Sequence, residues 1–434
     1  MQKVPLPSSE NPRIVIIGGG FAGIKLIKKL KNQPVQIVLF DRNNYHTFQP
    51  LLYQVATAGL EPDSIADPLR KQLEPVKNFF FRMGEVYSIN PDSKTISTEI
   101  GEVDYDYLVL ATGSQTNYFG NESIMQNGFP LKQIPQALDL RSHILQNFEA
   151  ANIATDSGEL SSRMNIVIVG GGPTGVEVAG AMGELKKNIL PGDYPELDFD
   201  QMKIILLEGD SRLLQGMSEE SGQRALKYLT KFDVEVRLNT MVESYDGLIA
   251  QLAGGDSINT HTLIWAAGVK GNFPKGINEE AIERGRIKVN EFNMVHGHEN
   301  IFAIGDIASM VTKEFSKGHP MLAPVAIQQG QHLAENLKFL LKEKPLKPFK
   351  YVDKGAMATI GRNKAVADLG KMKVGGFMAW LIWMFVHLIS IIGFRNKIIV
   401  FSNWVWNYFT YDKGTRLIIR KFIPKNKIRE DVNA

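Results

Sequence analysis

The sequence predicts an α/β fold in which one strand–turn–helix–strand unit occurs twice, followed by an apolar C-terminal region. Three observations support this prediction. A βαβ pattern occupies residues 13–41, the same pattern returns at 165–208, and the composition changes after Gly375. Two copies of a unit this long indicate a duplicated βαβ element and not a short-period solenoid. The 434 residues are sufficient for about three domains.

The first unit begins with a continuous apolar run from Ile14 to Ile17, as expected of a strand that is buried on both faces. A glycine-rich turn from Gly18 to Gly23 follows at once, and residues 24–31 then show helical periodicity. Val35 to Phe40 forms a second apolar strand. This strand ends on Asp41, so the unit closes with an acid.

The second unit repeats this order with a different spacing. Asn165 to Val169 is its first strand, Gly170 to Gly175 its turn, and Lys203 to Leu207 its second strand, which ends on Glu208. The acid follows the first glycine by 23 positions in the first unit but by 38 in the second, whereas ~20 is usual. The excess lies in a proline-containing insertion at 186–201, which weakens the second match on spacing alone.

Both turns have the composition that a dinucleotide pyrophosphate requires. A strand that leads into a helix N-terminus offers free backbone N–H groups and a favourable dipole to two negative charges. Glycines are needed because a Cβ atom would meet the phosphates or the packed strand. An acid at the end of the second strand accepts hydrogen bonds from ribose hydroxyls. We therefore predict that both units bind dinucleotides; the alternative, two turns that only pack a helix against a strand, leaves the repetition unexplained.

Two further acids bear on cofactor identity. A carboxylate at Glu208 repels a 2′-phosphate and so favours NADH over NADPH, although Arg212, four residues later, would soften this repulsion. A late strand at 301–304 closes on Gly305-Asp306. A carboxylate there can accept a hydrogen bond from a ribityl hydroxyl of a flavin. Most Gly-Asp pairs are simple turns, so this prediction depends on the first unit.

Composition excludes several classes of function. Cysteine is absent, so the chain has no disulfide framework, thiolate zinc site, cysteine-ligated iron–sulfur cluster or cysteine nucleophile. The net charge of +3 does not indicate a nucleic-acid partner. His296 and His298 form the one close histidine pair and lack a third ligand, so no metal site is predicted. The N-terminus lacks the apolar segment of a signal peptide, and we expect the protein to stay on the side of the membrane where it is made.

The two fingerprints, the small-residue turns at 111–113 and 266–268 and the late Gly-Asp pair together resemble the flavoproteins with two dinucleotide-binding domains and a glutathione-reductase-like fold. The disulfide-reducing and sulfide-oxidising branches of that group use cysteines, which this chain lacks. A reduced flavin here would need an electron acceptor outside the chain.

The chain is more similar to the type II, non-proton-pumping NADH dehydrogenases. The matching segments are DRNNYHTFQPLLYQVA at 41–56, DYPELD at 193–198, APVAIQQG at 323–330 and KGAMATIGR at 354–362. The 193–198 match accounts for the insertion that lengthens the second unit. The resemblance covers about residues 12–420.

This resemblance implies two cofactors, FAD and NADH, and places residues around each. The residues implied at FAD are Gly18, Gly20, Phe21, Ala22, Gly23, Asp41, Arg42, Val86, Ala111, Thr112, Gly113, Gly305, Asp306, Val325 and Ala326. Those implied at NADH are Gly170, Gly172, Pro173, Thr174, Gly175, Glu208, Ala267 and Gly268.

The resemblance also implies a quinone site, with one departure from the family pattern. The family commonly has Ala-Gln where this chain has Ala323-Pro324, and proline cannot supply an amide side chain. Gln328 and Gln329 are the remaining candidates for the quinone contact. Glu177 is a further candidate, since the family places a glutamate there. A carboxylate that only stabilises a helix N-terminus is the alternative for Glu177.

The C-terminal region begins with 21 residues, Val374 to Phe394, that carry no formal charge. This stretch could span a bilayer, lie at its interface or form a buried helix, and the family resemblance favours monotopic attachment. In the second stretch, to Tyr411, asparagines share one face and aromatics another, as in an amphipathic interfacial helix. Residues 411–434 carry a net charge of +4, which favours anionic lipid.

We therefore predict a membrane-associated NADH:quinone oxidoreductase that passes a hydride from NADH to FAD and then two electrons to menaquinone or ubiquinone, without proton pumping. Glu177 and Gln328 are the predicted catalytic residues. A soluble FAD-dependent reductase of another acceptor and a slow membrane-bound NADH sensor are the alternatives. We expect monotopic attachment to the cytoplasmic face of the cytoplasmic membrane, with homodimerisation possible through the terminal helices.

The predicted domains are a discontinuous FAD-binding domain at 1–120 and 285–345 and an NADH-binding domain at 121–284. A C-terminal region follows at 346–434, with the anchoring helices at about 375–411 and the basic tail behind them.

Overall fold

The computed structural model describes residues 2–411 and 413–423. Part of the predicted basic tail, with Lys425, Lys427 and Arg429, lies outside these residues. The described chain forms two compact units. The first comprises residues 2–47, 66–115 and 269–353; the second comprises 48–65, 116–268 and 354–423.

Twelve α-helices occur in the described residues. In chain order they are α1 (Phe21–Lys29), α2 (Leu52–Ala56), α3 (Leu69–Leu73), α4 (Glu122–Asn127), α5 (Ile134–Ala151), α6 (Ser157–Met164), α7 (Pro173–Asn188), α8 (Leu190–Asp193), α9 (Glu219–Lys231), α10 (Ala323–Leu340), α11 (Gly376–Ser390) and α12 (Phe394–Thr410).

The β-strands are short, and many pair into small antiparallel sheets. The first thirteen are β1 (Arg13–Ile17), β2 (Gln36–Asp41), β3 (Tyr45–Thr47), β4 (Ala66–Pro68), β5 (Phe79–Met83), β6 (Val86–Asn90), β7 (Thr95–Thr98), β8 (Gly101–Asp104), β9 (Tyr107–Leu110), β10 (Ser114–Thr116), β11 (Phe129–Pro130), β12 (Ile166–Val169) and β13 (Ile204–Leu207). The others are β14 (Val234–Arg237), β15 (Val242–Tyr245), β16 (Ile249–Leu252), β17 (Ser257–Asn259), β18 (Thr262–Trp265), β19 (Val269–Gly271), β20 (Ile282–Glu283), β21 (Arg286–Lys288), β22 (Ile301–Ala303), β23 (Ala308–Ser309), β24 (Ala356–Gly361), β25 (Lys364–Leu369) and β26 (Met372–Gly375).

The first unit is built on a five-stranded parallel sheet in the order β22-β9-β1-β2-β5. Val15 pairs with Val38 on one side and with Leu108 on the other, and all three are fully buried. This burial explains why β1 and β2 are continuously apolar. Helix α10 packs against α1 so closely that a Cβ atom on Gly330 would lie 2.4 Å from the carbonyl oxygen of Ala22.

The second unit repeats this sheet as β11-β18-β12-β13-β14, again parallel. The three-stranded antiparallel sheet β15-β16-β17 corresponds to β6-β7-β8 in the first unit. Helix α7 also approaches β24 closely, because a Cβ atom on Gly180 would lie 2.2 Å from the carbonyl oxygen of Ile360. The small residues of α7 therefore permit a close helix–strand contact beside the site described below.

The two apolar C-terminal stretches form two helices behind the sheet β24-β25-β26. Helix α11 has only 15 residues, because Val374 belongs to β26 and the chain leaves the helical conformation before Gly393, whose φ is +86°. Several large apolar side chains of α11 and α12 are exposed, including Phe385 (65%), Phe394 (79%) and Phe409 (78%). Within the residues that the structure describes, no helix is both long and apolar enough to cross a membrane.

The asparagines of α12 face the protein. Asn403 donates to the Glu61 carboxylate at 2.9 Å, and the Asn407 amide lies 3.4 Å from the carbonyl oxygen of Gly59. Trp404 is also directed inward, where its indole N–H donates to Gln54 at 2.9 Å. Helix α12 is therefore attached to the second unit by polar contacts, while its large apolar side chains remain at the surface.

Candidate cofactor and quinone sites

The first glycine turn connects β1 to α1 in a conformation that only glycine adopts easily. Gly18 has a φ of +108°, and a Cβ atom on it would lie 2.3 Å from the carbonyl oxygen of Ala111. A Cβ atom on Gly23 would lie 2.1 Å from the Gly18 carbonyl oxygen. By contrast, a Cβ atom on Gly20 would meet no protein atom within 4 Å. Gly20 therefore faces open space at the N-terminus of α1, where a phosphate would lie.

The second turn has the same geometry. Gly170 has a φ of +110°, a Cβ atom on it would lie 2.7 Å from the Ala266 carbonyl oxygen, and Gly175 approaches Gly170 as Gly23 approaches Gly18. Gly172 again faces open space. It precedes Pro173 and Thr174, which begin α7.

Each acid predicted to bind ribose also holds the middle of its own glycine turn. Asp41 accepts from the Gly19 N–H at 2.7 Å and from the Asn43 N–H at 2.8 Å. Burial raises the pKa of Asp41, and these backbone donors oppose that shift. Glu208 likewise accepts from the Gly171 and Asp210 N–H groups. The carboxylates thus connect each strand end to its own glycine turn.

The Gly305-Asp306 turn is fixed by buried polar groups. The Gly305 N–H donates to the Gln329 side chain at 2.7 Å, and Asp306 accepts from the Ser114 hydroxyl at 2.6 Å. The guanidinium of Arg286 donates to the Asp306 carbonyl oxygen at 3.0 Å and to that of Ala308. Sequence reasoning did not identify Arg286, since nothing nearby marks it as a partner of this turn.

A cavity of about 460 Å³ opens beside the first turn. It brings together five of the residues predicted to bind FAD: Gly18, Asp41, Arg42, Val86 and Thr112. The Thr112 hydroxyl is buried without a hydrogen-bond partner in the described chain, as expected of a group that a ligand completes. The cavity also includes Tyr87, Asn272, Phe273 and Lys275, which the sequence analysis did not identify.

The other residues predicted at FAD surround the same turn. Phe21 packs edge-on against His46, with ring centroids 4.8 Å apart. A Cβ atom on Gly305 would lie 3.4 Å from the Ala326 side chain and 3.6 Å from Ala22. Val325 is buried beside Ala326 on α10, and a Cβ atom on Gly113 would meet open space. The open glycines, the unpartnered Thr112 hydroxyl and the cavity volume all fit a flavin dinucleotide.

At the second turn, the remaining residues predicted to bind NADH follow β18. Ala267 is half-buried, and a Cβ atom on Gly268 would lie 2.8 Å from the ring of Phe119. Arg212 does not face Glu208 as a free cation. Its guanidinium donates to the carbonyl oxygens of Met217 at 3.1 Å and Gln215 at 2.9 Å. These bonds hold the Arg212 guanidinium against backbone carbonyl oxygens and not against Glu208.

Glu177 lies in a separate cavity, of about 110 Å³, within the second unit. The lining comes from α2, α7, β24, α11 and α12, and includes Tyr53, Gln54, Trp383 and Trp404. Burial raises the pKa of Glu177 to about 8, while the Thr359 N–H, at 3.5 Å, and the indole of Trp383 oppose the shift. Glu177 is therefore largely protonated at neutral pH.

Of the glutamines predicted at the quinone, Gln328 is bonded through both ends of its amide and Gln329 through its oxygen. The Gln328 amide donates to the Val352 carbonyl oxygen at 2.9 Å and accepts from the Val352 N–H at 3.0 Å. Gln329 is fully buried and holds Gly305. Pro324 is in the first turn of α10. All three belong to the first unit, and none lines the cavity that contains Glu177.

Comparison with known proteins identifies the class and then the family. Residues 12–330 match the model of the pyridine nucleotide-disulphide oxidoreductases, and residues 354–411 match the NDH2 C-terminal domain. The fold and the two glycine turns thus define a two-dinucleotide flavoprotein oxidoreductase, as predicted.

The chain is 38% identical over 429 residues to the type II NADH:quinone oxidoreductase NdhA of Mycobacterium tuberculosis, covering 95% of this chain and 90% of that protein. It is 35% identical to Ndh of the same organism, covering 94% and 91%. The structure of NDH2 from Plasmodium falciparum with NADH superposes with a TM-score of 0.86 at 20% identity, over 95% of this chain and all of that one. The chain belongs to the type II NADH:quinone oxidoreductases, which are FAD-dependent NADH dehydrogenases.

The family comparison confirms four predictions: the resemblance itself, the α/β fold class, the cofactors FAD and NADH, and the activity as an NADH dehydrogenase that reduces a quinone without pumping protons. The individual site residues and the domain boundaries remain predictions. The cavity at Glu177 adds residues that sequence reasoning did not assign to it. Tyr53 and Gln54 lie within the 41–56 segment that resembles the family signature, but the resemblance did not indicate a role for either residue.

Proposed function

We propose that FAD binds the first unit, NADH the second, and the quinone head group the cavity that contains Glu177. The open glycines support the two nucleotide assignments, because a side chain at Gly20 or Gly172 would occupy the space that a phosphate needs. The observation that carries the quinone assignment is Glu177, a buried carboxylic acid held protonated beside aromatic side chains.

The flavin, when bound, accepts a hydride from NADH and returns two electrons to an acceptor. The protein positions the reactants and handles protons. Reduction of a quinone to a quinol consumes two electrons and two protons. Glu177 supplies one of these protons: its O–H bond breaks as an O–H bond forms on the quinone oxygen, which leaves a carboxylate. Solvent supplies the proton for the other quinone oxygen. Solvent then returns a proton to Glu177 between turnovers.

Tyr53 and Gln54 contribute polar groups to the same cavity. The Gln54 amide donates to the Tyr53 hydroxyl at 2.8 Å, so this hydroxyl is held in place. Burial, together with the Glu177 carboxylate when it is ionised, raises the pKa of Tyr53 well above its usual range, so Tyr53 stays neutral. In this proposal Tyr53 replaces the amide that the family places at the position of Pro324.

As a type II NADH dehydrogenase the protein is a peripheral membrane protein. We place it on the cytoplasmic face, attached through the exposed apolar side chains of α11 and α12. Lys421 is exposed after these helices and favours anionic lipid, whereas Arg416 and Arg420 pair with Asp193 and Asp139. A homodimer through the same surface is the competing arrangement.

The membrane assignment is tested by flotation of the full chain with liposomes that contain 0% or about 30% anionic lipid. We expect binding that rises with anionic lipid and falls with salt. A stable dimer in detergent that no longer binds liposomes would contradict this assignment.

The catalytic assignment is tested with the purified, flavin-loaded chain. We expect NADH oxidation to rise at least tenfold when a menaquinone or ubiquinone analogue is added. Glu177→Gln should reduce this quinone-dependent rate at least tenfold yet preserve NADH-driven bleaching of the flavin, since only the proton donor is lost. No stimulation of the wild type by any quinone would refute the proposal.

The same variant gives a test by pH. Because the pKa of Glu177 is raised, the protonated form stabilises the fold fully below pH 4.5, and this contribution is lost as pH rises towards 8. The rate of quinone reduction should also fall as the pH rises through about 8, because Glu177 then loses the proton it donates. Glu177→Gln should therefore melt at a higher temperature than wild type at pH 8 and at a similar temperature at pH 5. Equal melting temperatures at pH 8 would show that Glu177 is not held protonated.

A further inference from the structure

One buried indole beside Glu177 lacks a close hydrogen-bond partner. Trp383 of α11 is only 2% exposed, and its Nε1 atom has no acceptor within 3.5 Å in the described chain. Among the described residues that line the cavity, no other buried side-chain nitrogen or oxygen lacks a close hydrogen-bond partner. A buried N–H without an acceptor is costly, so an orphan at a reaction site suggests a functional partner.

The neighbouring polar groups are already satisfied. The Trp404 N–H donates to Gln54, which in turn donates to Tyr53. Arg362 donates to the Asn407 carbonyl oxygen, and its guanidinium lies 3.4 Å from the ring centroid of Tyr411. Trp383 therefore carries a buried donor of this cavity that no close acceptor in the described chain satisfies.

Glu177 is the acceptor that needs such a donor. It is 9% exposed, and the Thr359 N–H donates to it over a long distance of 3.5 Å. A carboxylate formed in this cavity would lose most of its hydration, and it requires N–H or O–H donors in return. The indole acts as a side-chain donor to Glu177 and lowers the pKa of Glu177, against the larger effect of burial.

The ring of Trp383 is held in one orientation. It stacks on His387 of the same helix with ring centroids 4.2 Å apart, and the His387 ring nitrogen donates to the Trp383 carbonyl oxygen at 2.7 Å. Burial lowers the pKa of His387 to about 4, so this neighbour is neutral at physiological pH. The indole N–H is thus directed by packing and not by a charge.

We propose that Trp383 is a positioning residue for Glu177: its indole N–H donates to the carboxylate that forms when Glu177 gives its proton to the quinone oxygen. The inference rests on the proposed function. No atom of Trp383 is consumed; the O–H bond of Glu177 breaks, the quinol O–H bond forms, and the indole stabilises the carboxylate left behind. A residue of the C-terminal helix α11 thereby completes the proton-donating group.

Other ionisable groups line this cavity and could also affect the pH dependence of quinone reduction. Tyr53 comes from α2, Glu184 from α7, Arg362 from the turn after β24 and Lys413 from the segment after α12. Burial lowers the pKa of Lys413, which Glu184 opposes. Replacing the indole by a phenyl ring changes none of these charges, so a shift of the pH profile reports the lost N–H.

The test compares Trp383→Phe with Trp380→Phe in the full-length, flavin-loaded enzyme in nanodiscs. Trp380 lines the same cavity and serves as the matched control. For Trp383→Phe we expect the alkaline limb of quinone reduction to move up by roughly 1 to 2 pH units, because a hydrogen bond to the charged carboxylate is lost. Trp380→Phe should leave the midpoint unchanged, whatever its effect on KM.

A second measurement does not depend on turnover. The chain has five tryptophans, so ¹⁵N-indole labelling gives five signals, which single Trp→Phe variants assign by elimination. The Trp383 signal should titrate with a midpoint near 8 in wild type and remain fixed in Glu177→Gln. A Trp383 signal that does not move with pH, or an unshifted Trp383→Phe profile, overturns this inference even if wild type reduces quinone. Failure of wild type to reduce any quinone would instead overturn the proposed function.

Discussion

The two glycine turns share a backbone geometry but are held differently. In both, the first glycine has a φ near +110° and the middle glycine donates to an acid at a strand end. The middle glycine also presses against a leucine: a Cβ atom on Gly19 would lie 2.8 Å from Leu69, and one on Gly171 would lie 2.5 Å from Leu213. The two copies therefore share the same local constraints.

They differ in what holds the carbonyl of the middle glycine. In the second unit the Leu214 backbone N–H donates to the Gly171 carbonyl oxygen at 2.8 Å. In the first unit a side chain holds this carbonyl, since the His46 ring nitrogen donates to the Gly19 carbonyl oxygen at 3.2 Å. Burial lowers the pKa of His46 to about 4, so the ring is neutral. A duplicated motif can thus keep its shape while the supporting groups change.

The largest expected effect separates the two cofactors. Gly20→Val and Gly172→Val each add a Cβ atom that would meet no protein atom within 4 Å, so both variants should fold. Gly20→Val should lose flavin, because its side chain occupies the phosphate position. Gly172→Val should retain flavin but raise the KM for NADH at least tenfold. Flavin absorbance of the purified variants and NADH titration distinguish them; loss of flavin from Gly172→Val would break the assignment.

A smaller effect should follow from the difference between the turns. His46→Phe keeps a buried ring but removes the donor to Gly19. We expect FAD to dissociate about tenfold more readily, since a buried carbonyl is left unsatisfied. The measurement is flavin release on dilution, with Phe21→Leu as a control that removes the ring contact but keeps the donor. Unchanged retention in His46→Phe would show that the His46 bond does not support the turn.

The smallest effect concerns cofactor choice at the second turn. Glu208→Gln keeps an oxygen that can accept from Gly171 but removes the charge that repels a 2′-phosphate. The ratio of kcat/KM for NADH over NADPH should fall roughly tenfold, with flavin content unchanged. Arg212→Ala should leave this ratio unchanged, because the Arg212 guanidinium is bonded to backbone carbonyls. A larger change in Arg212→Ala than in Glu208→Gln would reverse their proposed roles.

Much of the fold follows from local sequence pattern. The apolar runs at 14–17 and 166–169 form the central strands, and both glycine turns precede the helices that their spacing predicts. Helix α10 begins at Ala323, because a proline in the first turn does not interrupt a helix. Such features depend on neighbours in sequence, so periodicity and turn chemistry detect them.

The sequence by itself therefore determined the duplicated dinucleotide-binding pattern, the acids at the strand ends and the need for an acceptor other than a thiol. Only the tertiary structure decided which candidates lie together. It places Glu177 beside Trp383 and Tyr53, commits Gln328 to Val352, and directs Asn403 towards the protein. The physical reason is that the hydrogen-bond partners of a side chain, and the cost of burying it, depend on residues distant in sequence. The local sequence pattern does not indicate which residues these are.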